Sequence, residues 1–261
     1  MNFYKYQGTG NDFVMIDNRK NIFDKSDARL IHQLCDRRFG IGADGLILIE
    51  KSDDFDFNMI YFNADGSQSF CGNGSRCAVA FASYLGIVGN KAIFIAIDGE
   101  HEAWMNENGE VSLKMHDVEN IEKGNDYYFI NTGSPHYIVD VKDVNSINVF
   151  EEGKKIRYNS RFKQEGTNVN FVHYHSDGLD IRTYERGVED ETLSCGTGVT
   201  ASALSWADKN KSSAGKIEVN TKGGKLKVAF KRNDFGTFHD IWLIGPAVQV
   251  FKGQLSPLER G

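Results

Sequence analysis

One short pattern occurs twice in this 261-residue chain and limits the folds open to it more than any other feature: Cys71-Gly72-Asn73-Gly74 returns as Cys195-Gly196-Thr197-Gly198, 124 residues later. Each copy follows a strand-like stretch that ends in a glycine turn, NADG at 63–66 and YERG at 184–187. Each then opens an Ala/Ser-rich stretch, CGNGSRCAVAFASYLG or CGTGVTASALSWADK. Weaker echoes stand upstream, GTGNDF at 8–13 and GTNVNF at 166–171. A tandem duplication accounts for all of these. It predicts an α/β (α+β) chain of two similar halves, each a sheet wrapped round one central helix. The expected division is 1–115 with 247–261 for one domain and 116–246 for the other. At ~150 residues per domain, the length allows one large or two modest domains.

The local patterns fill in this outline. NFYKYQ, DFVMID, LILIEK and FDFNMIYFN alternate or run apolar between Gly, Asn and Asp, as strands do. SDARLIHQLCDRRFG predicts an amphipathic helix capped by Ser26, with Leu30, Ile31, Leu34 and Cys35 on one face and a stop at Gly40. Cys77 to Ala82 is small and apolar on every face of a helix, so that helix must be buried on all sides. Strand patterns resume at KAIFIAI, EAWMN, VSLKM, YYFINTG and HYIVDV. A helix charged on one side is expected at about 149–158, then strands at NVNFVHYHS and LDIRTYERG, and three or four more between 216 and 250.

Composition removes several classes of function. Lys+Arg 30 against Asp+Glu 36 leaves a net charge of −6, and no stretch gathers basic residues with aromatics, so neither nucleic acid nor an anionic membrane is an expected partner. The longest apolar runs are six residues, Cys77–Ala82 and Ala92–Ile97, far short of the ~18 needed to span a bilayer. MNFYKYQGTGNDF has no basic region followed by an apolar core, so a cytoplasmic location is expected. Four cysteines, Cys35, Cys71, Cys77 and Cys195, are too few for a disulfide scaffold. None forms a CxxC or a zinc spacing, and no metal is expected.

A thiol placed just before a helix sits at the positive end of the helix dipole, among N–H groups that have no intrahelical partner. Both effects favour thiolate over thiol, against an ordinary cysteine pKa of ~8.5. The neighbouring glycines let a ligand approach the backbone, whose N–H groups would hold a carboxylate. Two such ends facing one another across a cleft would put a thiol on each face of a bound molecule, which suits moving a proton off one face of a stereocentre and onto the other. Cys35 and Cys77 lie inside apolar helix patterns and read as core thiols. Asn11, Asn63, Asn73 and Asn168 stand in Gly-bounded turns, where Asn also serves turn chemistry alone. His136 suits either packing or catalysis, and Glu185-Arg186 suits either a site or a strand-end ion pair. GTGNDF is not a dinucleotide fingerprint, because Phe13 stands at its third glycine position.

GTGNDFVMID at 8–17, FGIGADG at 39–45, NADGSQSFCGNGSRC at 63–77, GTNVNF at 166–171 and YERGVEDETLSCGTG at 184–198 together resemble the diaminopimelate epimerases, over essentially the whole chain. The resemblance implies two pseudo-symmetric domains, each a curved, mostly antiparallel sheet wrapped round a central helix, with the active site in the cleft between them, and a cofactor-independent inversion of one α-carbon of LL-diaminopimelate to give the meso form. It assigns Cys71 and Cys195 as the two acid/base residues. It assigns Asn11, Asn63, Gly72, Asn73, Asn168, Glu185, Arg186, Gly196 and Thr197 to substrate binding, with His136 and Glu185 tuning the thiols. It further implies a role in lysine biosynthesis and a homodimer. The chain departs from the family pattern at Gly45, where Gln is common, at Ser134, where Asn is common, and in a 63–71 stretch one residue shorter than usual. A proline or hydroxyproline racemase shares the fold and paired cysteines but has no use for Asn and Arg side chains at a distal amino-carboxylate. A thiol redox or metal-binding protein using Cys71, Cys77 and Cys195 is the alternative from another class.

Overall fold

The computed structural model describes residues 1–255, so the last six residues of the expected first domain lie outside the described residues. The chain divides into two compact units, Met1–Leu113 with the stretch from Pro246 onward, and Lys114–Gly245.

The first unit contains β1 (Asn2–Gly8), β2 (Asn11–Asp17), α1 (Ala28–Cys35), β3 (Gly45–Glu50), β4 (Phe57–Asn63), α2 (Gly72–Tyr84), β5 (Lys91–Ala96), β6 (Gly99–Met105) and β7 (Val111–Lys114). The second contains β8 (Ile121–Lys123), β9 (Tyr127–Asn131), β10 (Pro135–Asp140), α3 (Val149–Arg157), β11 (Asn168–Tyr174), β12 (Gly178–Glu185), β13 (Asp190–Thr192), α4 (Gly196–Lys209), β14 (Ala214–Thr221), β15 (Gly224–Arg232) and β16 (Phe238–Gly245). The chain then returns to the first unit as β17 (Val248–Gln254), which pairs antiparallel with β1.

The strand pairings repeat step for step. In the first unit β1 and β2 are antiparallel, β2 and β3 parallel, β3 and β4 antiparallel, β4 and β5 parallel, and β5 and β6 antiparallel. In the second unit the same series runs through β9 and β10, β10 and β11, β11 and β12, β12 and β14, and β14 and β15. The outer helices α1 and α3 each stand in the first parallel crossover, and α2 and α4 each stand in the second. The duplicated sequence therefore appears as a duplicated topology, mostly antiparallel with two parallel joints per unit.

Each sheet is covered on both faces. All six residues of β3 are buried, as expected of a strand in a parallel pair that is packed on two sides. Leu46 and Leu48 join Val14, Ile16, Ile31 and Leu34 under α1, while Ile47 reaches the other face at Gly74 of α2. In the second unit Val169, Phe171 and Tyr184 pack with Val149 of α3, and α4 lies against β9 to β12 and β14 to β16. The central helices are nearly wholly interior: Gly72 to Val79 of α2 and Gly198 to Ala207 of α4 are buried.

Three local expectations need correction. Asp27, rather than Ser26, caps α1 by accepting from Leu30 N at 2.9 Å, while Ser26 Oγ donates to Asp24 at 2.6 Å. The helix ends at Cys35, and the chain reaches Gly40 through a turn. The short strands β8 and β13 went unpredicted, because three residues carry too little periodicity to register.

Candidate active site

Cys71 and Cys195 occupy the same topological position, each as the residue capping the N-terminus of its unit's central helix, with extended backbone. Cys71 Sγ accepts from Gly74 N at 3.4 Å. Cys195 makes no such cap bond, and its sulfur stands 3.5 Å from Thr197 Oγ1. Gly72 and Asn73 supply the first-turn N–H groups of α2, and Gly196 and Thr197 those of α4. The other two thiols are interior, and burial pushes Cys35 up to about 11 and Cys77 up to about 12. Both stay protonated at neutral pH.

Around Cys71 the structure gathers Asn11 and Asn73. Asn11 Oδ1 lies 3.4 Å from the sulfur and 3.5 Å from Asn73 Nδ2. Asn11 is held by its own amide, which donates to Asp44 at 2.5 Å. Asp44 belongs to an ion cluster in which Arg37 pairs with Asp44 at 2.7 Å and with Asp12 at 2.8 Å, and Lys5 pairs with Asp12 at 2.7 Å. Asn63, by contrast, braces its own loop, donating to Ser67 Oγ at 3.0 Å and accepting from Ser69 Oγ at 3.3 Å. A residue overlooked in the sequence is Arg76, fully buried on α2, which donates to Asn73 Oδ1 at 2.9 Å.

Burial alone would raise the Asp12 pKa, but hydrogen bonds from Arg37 and Lys5 outweigh it and hold the carboxyl at about 2, against 3.8 in an unfolded chain. A lowered carboxyl pKa stabilises the fold fully above the unfolded value and ceases to do so as pH falls through the folded one. Asp12→Asn is therefore expected to destabilise the protein by about 2 kcal/mol at pH 7, with the difference unchanged down to pH ~5 and shrinking below pH ~4. Urea unfolding of both proteins across that range measures it. A difference that does not vary with pH would mean that the carboxylate charge contributes nothing.

Around Cys195 the gathering is denser. His136 Nε2 lies 2.9 Å from Thr197 Oγ1 and 3.1 Å from Ser134 Oγ, and Thr132 Oγ1 donates to Thr197 O at 2.8 Å. Asn168 Nδ2 donates to Ser134 Oγ and to Pro135 O, both at 3.0 Å, and its Oδ1 accepts from Arg186 N at 2.9 Å. The alternation of β11 sorts these residues: Val169 and Phe171 face α3, while Asn168 and Asn170 turn to the face that carries α4. Gly198 permits the approach, since a Cβ there would stand 2.6 Å from Asn170 Oδ1 and 3.2 Å from His136 Cε1. Glu185 and Arg186 take separate partners: Glu185 accepts from Thr192 Oγ1 at 2.8 Å, and the exposed Arg186 donates to Glu165 O at 3.0 Å. Ser134 joins Asn168, His136 and Thr197. Among the described residues, no group of three or more His, Cys, Asp or Glu is placed to hold a metal ion, and no helix is long and apolar enough to cross a membrane.

Comparison with known proteins places the chain. The diaminopimelate epimerase family model matches residues 3–121 and 128–248. A diaminopimelate epimerase of Flavobacterium psychrophilum is 54% identical over 97% of this chain and 99% of that one, and one of Aquifex aeolicus is 42% identical over 98% of each. Among solved structures, a PhzF-family phenazine biosynthesis protein of Bacillus anthracis matches with a TM-score of 0.76 at 14% identity, covering 98% of this chain and 99% of that one. A probable proline racemase of Agrobacterium radiobacter matches at 0.70 and 16%, covering 99% and 94%. These two likenesses concern the fold, whereas the matches in sequence run the length of the chain at much higher identity, and on them the chain belongs to the diaminopimelate epimerase family.

Proposed function

We propose that this protein interconverts LL- and meso-2,6-diaminopimelate by a two-base mechanism, without a cofactor, and supplies lysine biosynthesis. The observation that carries the reading is the duplicated helix N-terminus, with a thiol at the cap position in both units. Inverting a carbon needs a proton acceptor on one face and a donor on the other. In one direction the Cys71 thiolate removes the α-proton while the Cys195 thiol delivers its own to the opposite face, and in the reverse direction the two exchange roles. The order of the two cysteines in the forward direction follows which isomer is bound. The substrate α-carboxylate is held by the first-turn N–H groups of Gly72, Asn73, Gly196 and Thr197. Asn11, Asn63, Asn168, Glu185 and Arg186 bind the remaining polar ends, and His136 and Glu185 tune the thiols. The two compact units serve as the two epimerase domains, and the working form is a cytoplasmic homodimer.

Incubation with LL-diaminopimelate in deuterated water tests this reading. The meso product is expected to carry one deuterium at the inverted α-carbon, since the donating thiol exchanges with solvent. Inversion without deuterium, or turnover of proline in place of diaminopimelate, would overturn it. Arg186→Lys keeps the charge but loses the planar fork that clasps a carboxylate in two bonds, and is expected to lower kcat/KM by more than about tenfold. Steady-state kinetics that match the parent protein would remove Arg186 from the site.

A further inference from the structure

Two interior side chains behind Cys195, Asn170 and Thr183, have no task in the epimerase reading, yet both are buried against its polar cluster. They bear on His136, which is fully buried, and burial holds its pKa down to about 3, with the Arg186 charge acting in the same direction. At neutral pH the ring is uncharged and carries one proton. Which nitrogen carries it decides what the ring does to Thr197. A protonated Nε2 donates to Thr197 Oγ1 and leaves the hydroxyl hydrogen of Thr197 free, whereas a bare Nε2 takes that hydrogen for itself.

The surrounding bonds select between the two. Thr183 Oγ1 donates to Asn170 Oδ1 at 2.9 Å. With its oxygen so engaged, the Asn170 carboxamide turns its NH2 to His136 Nδ1, 3.1 Å away. Nδ1 must then accept, and the ring proton sits on Nε2, 2.9 Å from Thr197 Oγ1. The Thr197 hydrogen is left to point at Cys195 Sγ, 3.5 Å away. Ser134 Oγ, 3.1 Å from Nε2 and 3.3 Å from Thr197 Oγ1, is the other hydroxyl in the cluster, and it accepts from Asn168.

We propose that Thr183 and Asn170 are positioning residues that lock His136 in its Nε2–H form and thereby aim the Thr197 hydroxyl at the Cys195 sulfur, favouring the thiolate. Only the last step, from sulfur to turnover, rests on the epimerase reading. The chain Thr183–Asn170–His136–Thr197–Cys195 crosses β12, β11, β10 and the first turn of α4, so four elements hold one proton in place.

Nitrogen-15 NMR of the full-length protein labelled at its seven histidines reads the tautomer directly, with His136→Gln assigning the signals. His136 is expected to show a bare Nδ1 and a protonated Nε2. Thr183→Val, close in shape, removes the hydroxyl that fixes the carboxamide and is expected to mix the two tautomers. It should also slow iodoacetamide alkylation of Cys195 without changing that of Cys71, and lower kcat roughly tenfold, about the worth of one hydrogen bond, with KM little moved. Thr183→Ser keeps the hydroxyl and is expected to restore all three. A protonated Nδ1 in the parent protein, or a tautomer unmoved by Thr183→Val, would overturn the proposal. The expected tautomer and Cys195 reactivity in a protein that does not epimerise diaminopimelate would overturn the epimerase reading and leave the positioning role standing.

Discussion

Replacing either Cys71 or Cys195 with alanine is expected to lower epimerisation by at least about a thousandfold, since in the proposed two-base mechanism each carries the proton on one face of the substrate carbon. Binding is expected to survive, because the first-turn N–H groups of α2 and α4 belong to the backbone. The other two thiols supply the contrast. Cys77 is wholly interior on α2, six residues after Cys71, and burial pushes it up to about 12, so it has no thiolate to offer at neutral pH. Cys35, pushed up to about 11 beneath β3, is in the same state. Cys77→Ala is expected to lower stability by about 1 kcal/mol through the small cavity it leaves, with turnover nearly unchanged. Chiral chromatography of the product, calorimetric titration with meso-diaminopimelate and urea unfolding separate these outcomes. A folded but inactive Cys77→Ala protein would mean that the assignment of the reacting thiols is wrong.

The largest expected effect on stability comes from Gly45. Gly45 opens β3 opposite Asn63 of β4, and a Cβ there would lie 2.4 Å from Phe62 O and 2.4 Å from the Tyr61 ring. The ring cannot swing freely aside, being 8% exposed and set edge-on against Phe13 at 5.8 Å. The carbonyl is part of the neighbouring strand and moves only with the sheet. Gly45→Gln is therefore expected to destabilise the fold by about 3 kcal/mol, near the upper end for overpacking, because backbone as well as side chain must yield. Urea unfolding measures it. A loss below about 1 kcal/mol would show that β3 and β4 separate more easily than their packing implies. Tyr61 fills the space that a side chain at position 45 would need.

Much of this protein was legible in its sequence. The two Cys-Gly-x-Gly helix starts, the buried character of α2, the α3 boundaries and most strands follow from patterns that span only a few residues, since capping, turn chemistry and apolar periodicity act over one or two turns of chain. The duplication was equally plain, because it is a relation between two such local patterns. Short-range signals fail where neighbours compete. Asp27 and Ser26 are both good caps, and the choice fell to Asp27 once Ser26 had turned its hydroxyl to Asp24. Other features have no local signal at all. That Asp12 titrates near 2 depends on Lys5 and on Arg37, brought to it from β1 and from beyond α1. That His136 is a neutral ring with a directed proton depends on Asn170 and Thr183, which reach it only because β10, β11 and β12 lie side by side. Sequence spacing determined where the thiols and helices begin; burial and the direction of each hydrogen bond were decided by strands far apart in the chain, because desolvation and hydrogen-bond polarity depend on what surrounds a group in space.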